Sequence, residues 1–324
     1  MENCIKPQKN RNLSLLNHMN GNIVKETIKK YITYKSLVFM FLPCLVYYII
    51  FQYLPIYGVT LAFKDFRILD GIAASPWAGF KYFKLTFTNT EFWLVFKNTL
   101  VISGLKLIFN FPAPIILSLL LNEVRNLRFK KTVQTITYMP HFLSWVVLSG
   151  IVINFLSPSS GPINMLLVSM GLKPVYFVGS KDWFRQVLVV SSMWKEVGWG
   201  TIVYLASLAA VNNELYEAAV LDGAGRLKQT IHITLPAISP VIVIMFIFAV
   251  GGIVNDDFDQ IYNLYNPVVY SVADVLSTYV YRAGLENMQY SFATAVGLFK
   301  NVVAFVLIII TNLISRKYSD YGLW

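Results

Sequence analysis

The chain has 324 residues, 56% of them apolar and only 14% charged, with a mean hydropathy of +0.56 and a formal net charge of +10. A soluble domain carries about 25% charged residues, so this composition excludes a water-collapsed globule and points to a bundle of lipid-facing helices. The basic excess does not describe a nucleic-acid surface, because Lys and Arg flank apolar runs instead of sharing one face with interleaved aromatics.

Along the chain, residues 1–35 form a polar tail rich in Asn and Lys, without the composition of a packed core. Disorder, or a helix lying on an anionic leaflet, suits such a stretch. The tail is read as cytoplasmic and residues 36–324 as one membrane domain. A transmembrane helix needs ~20 mostly apolar residues. Six segments qualify, at about Leu37–Leu61, Leu94–Leu121, Val133–Leu156, Val187–Leu208, Ala237–Val254 and Phe292–Ile314. Pro112 and Pro114 interrupt the second. The first starts too far from Met1, and lacks a small-residue cleavage site, to be a removable signal peptide.

Lys25, Lys29, Lys30 and Lys35 precede the first span, and Arg125, Arg128, Lys130 and Lys131 fill the loop after the second. Arg226 and Lys228 lie between the fourth and fifth, and Arg316 and Lys317 follow the last. This bias puts those loops and both termini in the cytoplasm, and residues near Lys81, Lys173 and Arg282 outside. The outward loops at 64–93, 157–184 and 256–291 are aromatic-rich, with Trp77, Phe80, Tyr82, Phe92 and Trp93 in the first and Trp183 in the second. Tyr262, Tyr265, Tyr270, Tyr279 and Tyr281 lie in the third. They suit either an interfacial aromatic belt or a platform for a solute-binding protein.

Cys4 and Cys44 offer no disulfide framework. His18, His141 and His232 are scattered without ligand spacing, so no metal site is expected. A phosphate loop of the Gly-x-x-x-x-Gly-Lys-Ser/Thr type is absent from the sequence, and so is a paired nucleophile and base. The chain is expected to bind no cofactor and to catalyse no reaction.

The most specific stretch lies between the fourth and fifth spans. Glu217-Ala218-Ala219 is followed after three residues by Gly223, after nine more by Ile233, and then by Leu235-Pro236. An Ala-rich helix, a Gly that lets the backbone turn and a Leu-Pro that restarts a helix describe a finger projecting into water. The stretch resembles the EAA loop of binding-protein-dependent ABC importers, which docks into the ATPase subunit. Phe41-Leu-Pro43, Trp77-Ala-Gly-Phe80-Lys-Tyr82 and Tyr138-Met-Pro140 are similar to segments of the sugar-importer permeases. The run from Phe258-Asp-Gln260 through Asn266-Pro267, with Ala273-Asp274-Val275, Tyr279-Val-Tyr281-Arg282 and Ala293 to Lys300, resembles the polysaccharide branch related to the maltose-type subunits.

The resemblance implies an all-α membrane protein with the type I ABC importer permease fold. It further implies a second homologous permease, two ATPase subunits that carry ATP and magnesium, and an extracytoplasmic binding protein, in a bacterial cytoplasmic membrane. Glu217, Ala218, Ala219, Asp222, Gly223, Ala224, Leu235 and Pro236 would then form the coupling loop, at about 212–236. A permease for a non-sugar solute, or a secondary transporter, is the alternative; a secondary transporter has no ATPase for the finger to meet.

Ionisable groups inside a membrane are costly and tend to face the bundle interior. Lys106, Lys195, Glu196 and Lys300 lie within spans, and Asp256, Asp257 and Asp259 at the outer end of the fifth. Ser192, Glu196 and Trp199 share a helical face, and a carboxylate beside an indole suits a sugar. Gly251, Gly252 and Asn255 could supply a thin polar wall opposite. The substrate path is therefore expected at Ser192, Glu196, Trp199, Gly252, Asn255, Asp256 and Lys300. Helix-holding ion pairs and close glycine packing are the competing roles for these residues.

Overall fold

The computed structural model describes residues 33–254 and 257–319, which fall into two units, 33–60 and 61–319. The first unit is a membrane-length rod. Helix α1 (Lys35–Tyr48) continues through a π turn at Ile49–Tyr53 into a 3-10 segment, Leu54–Phe63. Pro43 inside α1 and Pro55 after the π turn each withhold a backbone N–H, and the ladder changes pitch beyond them.

The second unit is helical, and its isolated extended pairing is a bridge between Lys64 and Trp77. A short surface helix, α2 (Lys81–Thr88), precedes α3 (Thr90–Asn110), which begins where the Asn89 side chain accepts from the Glu91 N–H at 2.8 Å. Helix α4 (Pro112–Glu123) continues α3, the Phe111 N–H still reaching the Leu107 carbonyl at 3.3 Å. The expected second span is thus one helical run, Thr90–Glu123.

The third expected span, Val133–Leu156, is not continuous. Helix α5 (Leu127–Tyr138) tightens into a 3-10 turn at Met139–Phe142, and α6 (Trp145–Phe155) leaves at 109° to it. Pro140 removes a donor, and Ser144, extended at ψ 154°, caps the new helix through Val147 N–H. Helix α7 (Pro162–Ser169) lies in the following loop, pinned by Asn164. The Asn164 amide donates to the Leu156, Ser157 and Val175 carbonyls and accepts from Val175 N–H.

Helix α8 (Phe184–Ala209) is central and packs on α3, α4 and α5. Its 26 residues reach about 39 Å at 1.5 Å each, although Arg185, Lys195 and Glu196 interrupt its apolar character. A Cβ at Gly198 would overlap the Thr137 backbone, and one at Gly200 would press on the Pro114 ring, so both glycines set how closely the helices approach.

The finger follows as α9 (Asn213–Leu221) and α10 (Arg226–Gln229). After a π turn at Thr230–Thr234, α11 (Leu235–Gly251) runs on to Val254, making one run from Arg226 whose most apolar 18 residues have a mean hydropathy of 2.6. Short helices α12 (Phe258–Leu264) and α13 (Leu276–Tyr281) lead to the last helix, α14 (Tyr290–Ser319). Among the described residues four helical runs are long and apolar enough to cross a membrane, and the bent α5–α6 pair is a fifth if it crosses as one.

Two apolar clusters hold this unit together. One gathers Ile102, Val152, Phe184, Leu188, Ile261 and Leu264 from α3, α6, α8 and α12. The other gathers Phe92, Val95, Leu276, Phe292 and Val296 from α3, α13 and α14. Asn98 joins them through polar contacts. Its amide donates to the Ser271 and Asp274 carbonyls at 3.1 and 3.2 Å and accepts from Arg185 at 2.8 Å.

Candidate functional site

The finger is built by local rules. Asn212 caps α9 by accepting from Glu214 N–H at 3.0 Å. The helix ends at Gly223, whose φ of +74° is the left-handed conformation that glycine adopts without strain. There the N–H of Ala224 reaches back to the Ala219 carbonyl at 2.8 Å, and that of Asp222 to the Ala218 carbonyl at 3.0 Å. The two limbs are tied by Tyr216 Oη and Thr234 Oγ1, 3.0 Å apart, and by Gln229 donating to the Ala224 carbonyl at 2.8 Å. Arg226 meets Glu123 at the end of α4, 3.4 Å away, on a solvated surface where such a pair contributes little.

Glu217, Ala218, Asp222, Gly223 and Pro236 are exposed, while Ala219, Ala224 and Leu235 are partly covered. Apolar side chains stand out beside them: Leu221 is 89% exposed, Leu227 74% and Val220 62%. Burying one such side chain against a partner is worth about 1.5–3 kcal/mol. A cluster of them around a carboxylate is the anatomy of an interface.

A cavity of about 440 Å³ opens between α3, α4, α8 and α11. Its polar lining is Ser103, Lys106, Asn110, Ser192, Glu196, Tyr204 and Asp257, set among Phe111, Pro114, Met245 and Phe248. The Lys106 ammonium is not free. It lies 2.6 Å from Asp257 Oδ2 and also donates to Gln260 Oε1. Gln260 is fully buried, and its amide donates to the Leu188 carbonyl and to Ser191 Oγ at 2.7 and 2.8 Å. Glu196 Oε2 is 2.9 Å from His141 Nδ1, so its carboxylate joins the cavity to the bend in the broken span. Asn110 Oδ1 is buried without a protein partner, an acceptor held ready at the wall.

The structure brings Ser192, Glu196 and Gly252 together on this cavity. Trp199 does not line it; its indole stacks parallel to the His141 ring at 4.4 Å. Lys300 does not line it either, and donates to Ser277 Oγ instead. Asn255 and Asp256 lie outside the described residues, as does most of the tail at 1–35. Lys195 reaches the His141 and Leu143 carbonyls rather than a carboxylate. Ser103, Asn110 and Tyr204 were not anticipated from sequence. The spacing of Ser103, Leu107, Asn110 and Pro114 does follow one helical face and could have marked that wall. Among the described residues no group of three His, Cys, Asp or Glu could hold a metal ion.

Beyond the cavity, Asp274 is buried and receives Arg282 through two hydrogen bonds, 2.6 and 3.1 Å long, with Thr278 donating to the same carboxylate at 2.7 Å. Glu91 adds a third anionic contact to Arg282 at 3.2 Å. Burial alone would lower the Arg282 pKa, but Asp274 and Glu91 reverse the shift and hold it raised. This network fixes α13 against the start of α3.

Residues 110–320, which include the finger and part of the cavity wall, match the family model of the binding-protein-dependent transport system inner membrane component. The chain is 46% identical to Protein LplB of Bacillus subtilis over 90% of this chain and 91% of that protein. It is 44% identical to the polygalacturonan/rhamnogalacturonan transport system permease protein YteP of the same organism, over 93% and 94% of the two chains. Among solved structures, a chain of a bacterial alginate ABC transporter in complex with alginate pentasaccharide-bound periplasmic protein superposes with a TM-score of 0.84 at 42% identity. That match covers 91% of this chain and 99% of the other. The fold is that of a type I ABC importer permease, and the chain belongs to the binding-protein-dependent transport system inner membrane component family.

Proposed function

We propose that this permease carries an oligo- or polysaccharide, delivered by an extracytoplasmic binding protein, and pairs with a second homologous permease over two ATPase subunits. The chain is a transport subunit and not itself an enzyme; ATP and magnesium would reside on the ATPase subunits. The carrying observation is the pairing of an exposed finger, apolar and acidic at its tip, with a polar cavity inside a membrane bundle. Hydroxyl-rich cargo suits that cavity, because Asn110, Ser192, Glu196 and Tyr204 offer neutral and anionic hydrogen-bonding groups among aromatic and apolar walls. The 44% identity to a polygalacturonan/rhamnogalacturonan permease supports the same substrate class. Six crossings, with the bent pair and α8 each counted as one, put both termini on the same side, and the Lys and Arg bias of the loops supports that side, with Lys228, as the cytoplasm and Lys81, Lys173 and Arg282 as outside.

The test is the purified four-subunit assembly in liposomes. ATP hydrolysis should rise when saccharide-loaded binding protein is added, and labelled saccharide should accumulate inside. Equal hydrolysis with and without the loaded binding protein would remove the importer reading.

A further inference from the structure

Five aromatic rings on the outward side of the membrane domain touch one another in an unbroken series. Phe258 and Tyr262 are stacked at 5.1 Å and 18°, and Tyr281 lies 5.1 Å from Tyr262 and 5.2 Å from Phe258. Tyr262 meets Tyr265 at 5.8 Å, and Tyr265 meets Tyr270 at 4.8 Å. The far end lies under the Arg282 guanidinium, 5.3 Å from the Tyr270 centroid. The near end begins beside the cavity, since Asp257 lines it and directly precedes Phe258, the first residue of α12.

Membrane-belt aromatics act singly, each anchoring its own segment at the headgroup level. These rings instead come from α12, the loop after it and α13, and converge. Four of the five carry a phenol. Tyr262 is 38% exposed, and none of the five is fully buried. A pyranose ring has one face of C–H bonds and an edge of hydroxyls. A row of phenols meets both, with ring faces for the C–H groups and O–H donors and acceptors at the rim. The same row carries no fixed charge of its own and would hold each sugar unit only weakly.

We propose that Phe258, Tyr262, Tyr281, Tyr265 and Tyr270 form a track along which a saccharide chain slides from its binding protein into the cavity, an inference that rests on the sugar reading given above. The cargo is recognised through its pyranose faces and not through carboxylates, because the basic group at the outer end, Arg282, is already held by Asp274 and Glu91. The phenols of Tyr262 and Tyr265 stay protonated at neutral pH. The Tyr262 pKa is raised by its hydroxyl contact with Tyr281, and that of Tyr265 is raised by burial and by Tyr270.

A track of this kind predicts a dependence on chain length that a docking contact does not. In liposomes holding the complete transporter, uptake is measured with subsaturating loaded binding protein for short and long members of three series: oligogalacturonides, alginate oligosaccharides and malto-oligosaccharides. For whichever series the wild type carries, Tyr262→Ala should slow uptake of long members about three- to tenfold, the value of one aromatic contact, and leave the disaccharide little changed. Tyr262→Phe, which keeps the ring, should behave as wild type. Stimulation of ATP hydrolysis by loaded binding protein should be unchanged in both. Wild-type uptake by Tyr262→Ala, or a loss equal for all lengths, would overturn the track. Loss of ATPase stimulation would also overturn it and make the patch a contact for the binding protein. A wild-type transporter that carries none of the three series would remove the sugar reading itself.

Discussion

The ammonium of Lys195, on the central helix, lies 2.6 Å from the carbonyl oxygen of Leu143, at the corner where the third membrane segment turns through 109°. The same nitrogen donates to the His141 carbonyl at 2.8 Å, and the side chain is 8% exposed. A bend inside a membrane frees backbone acceptors that water cannot reach, and here a lysine on a neighbouring helix supplies the missing donors. Lys195→Met keeps the length and removes the donors. Each orphaned carbonyl costs about 1–3 kcal/mol, so the variant should unfold at a clearly lower temperature in detergent, as read by intrinsic fluorescence. An unchanged midpoint would show that the bend does not depend on this contact.

Close packing at Gly198 gives a second expectation. The Thr137 main chain occupies the place of a Cβ there, and a main chain cannot rotate aside as a side chain can. Gly198→Ala should therefore cost about 1–3 kcal/mol and lower membrane abundance. Gly252→Ala, with nothing within 4 Å of the added carbon, should not. Immunoblots of membranes expressing the two variants side by side make the comparison, and equal abundance would refute it.

At the finger, Gly223→Pro forces φ to about −65° where the chain needs +74°, and Glu217→Lys reverses the charge of an exposed carboxylate. Neither position touches the cavity. Both variants should reach the membrane normally and lose ATPase subunits in pull-down by more than about tenfold, since a broken charged contact costs ~2–5 kcal/mol. Full retention of the ATPase together with normal uptake would make the finger a bystander.

The hydrogen bond from Tyr82 to Asp65 should impose a pH window on the stability of the segment at 64–88. Hydrogen bonds from Tyr82 and Lys81 hold the Asp65 pKa below 3.8, so its contribution is present above that value and lost as pH falls through the folded pKa. Burial and Asp65 push the Tyr82 pKa up to about 12 from 10.0, so its contribution is complete below pH 10 and fades as pH rises toward 12. The stability gap between wild type and Asp65→Asn should accordingly be flat across the neutral range and close at both extremes. A gap that stays constant from acid to alkali would contradict the assignment.

Sidedness is tested with single cysteines after Cys4 and Cys44 have been replaced. Lys173→Cys should react with an impermeant maleimide in intact cells, and Lys228→Cys only after the membrane is opened. Reaction of Lys228→Cys from outside would reverse the topology.

Much of this architecture was legible in the sequence because lipid leaves the backbone few choices. Apolar length fixed the four unbroken runs, and the spacing of Glu217 and Gly223 described a helix and a left-handed turn that the structure contains, whereas the helix restarts at Arg226 and Leu235-Pro236 lie inside the run. The break at Leu143 was harder to see, because the donor that stabilises it comes from a helix some fifty residues later. The cavity was legible in part. Helical spacing placed Ser192 and Glu196 on one wall, but periodicity alone does not separate Gly200, which faces the cavity, from its neighbour Trp199, whose ring is taken by His141. Charge pairing followed the same limit. Lys106 and Asp257 are 151 positions apart, and only the packing of α3 against the end of α11 brings them together.

One consequence lies in the unequal limbs of the finger. The first limb, α9, is set off from the central helix by the non-helical stretch at 210–212, whereas the second passes from Arg226 to Val254 as one rod roughly 40 Å long. Leu227 at the tip and Gly252 at the cavity wall thus lie on one helical run, which changes pitch at the π turn Thr230–Thr234 and carries Pro236 and Pro240 along its length. Helical continuity therefore links the exposed tip to one wall of the cavity, whereas Ser192 and Glu196 on the facing wall belong to a helix that ends at Ala209, before the finger begins.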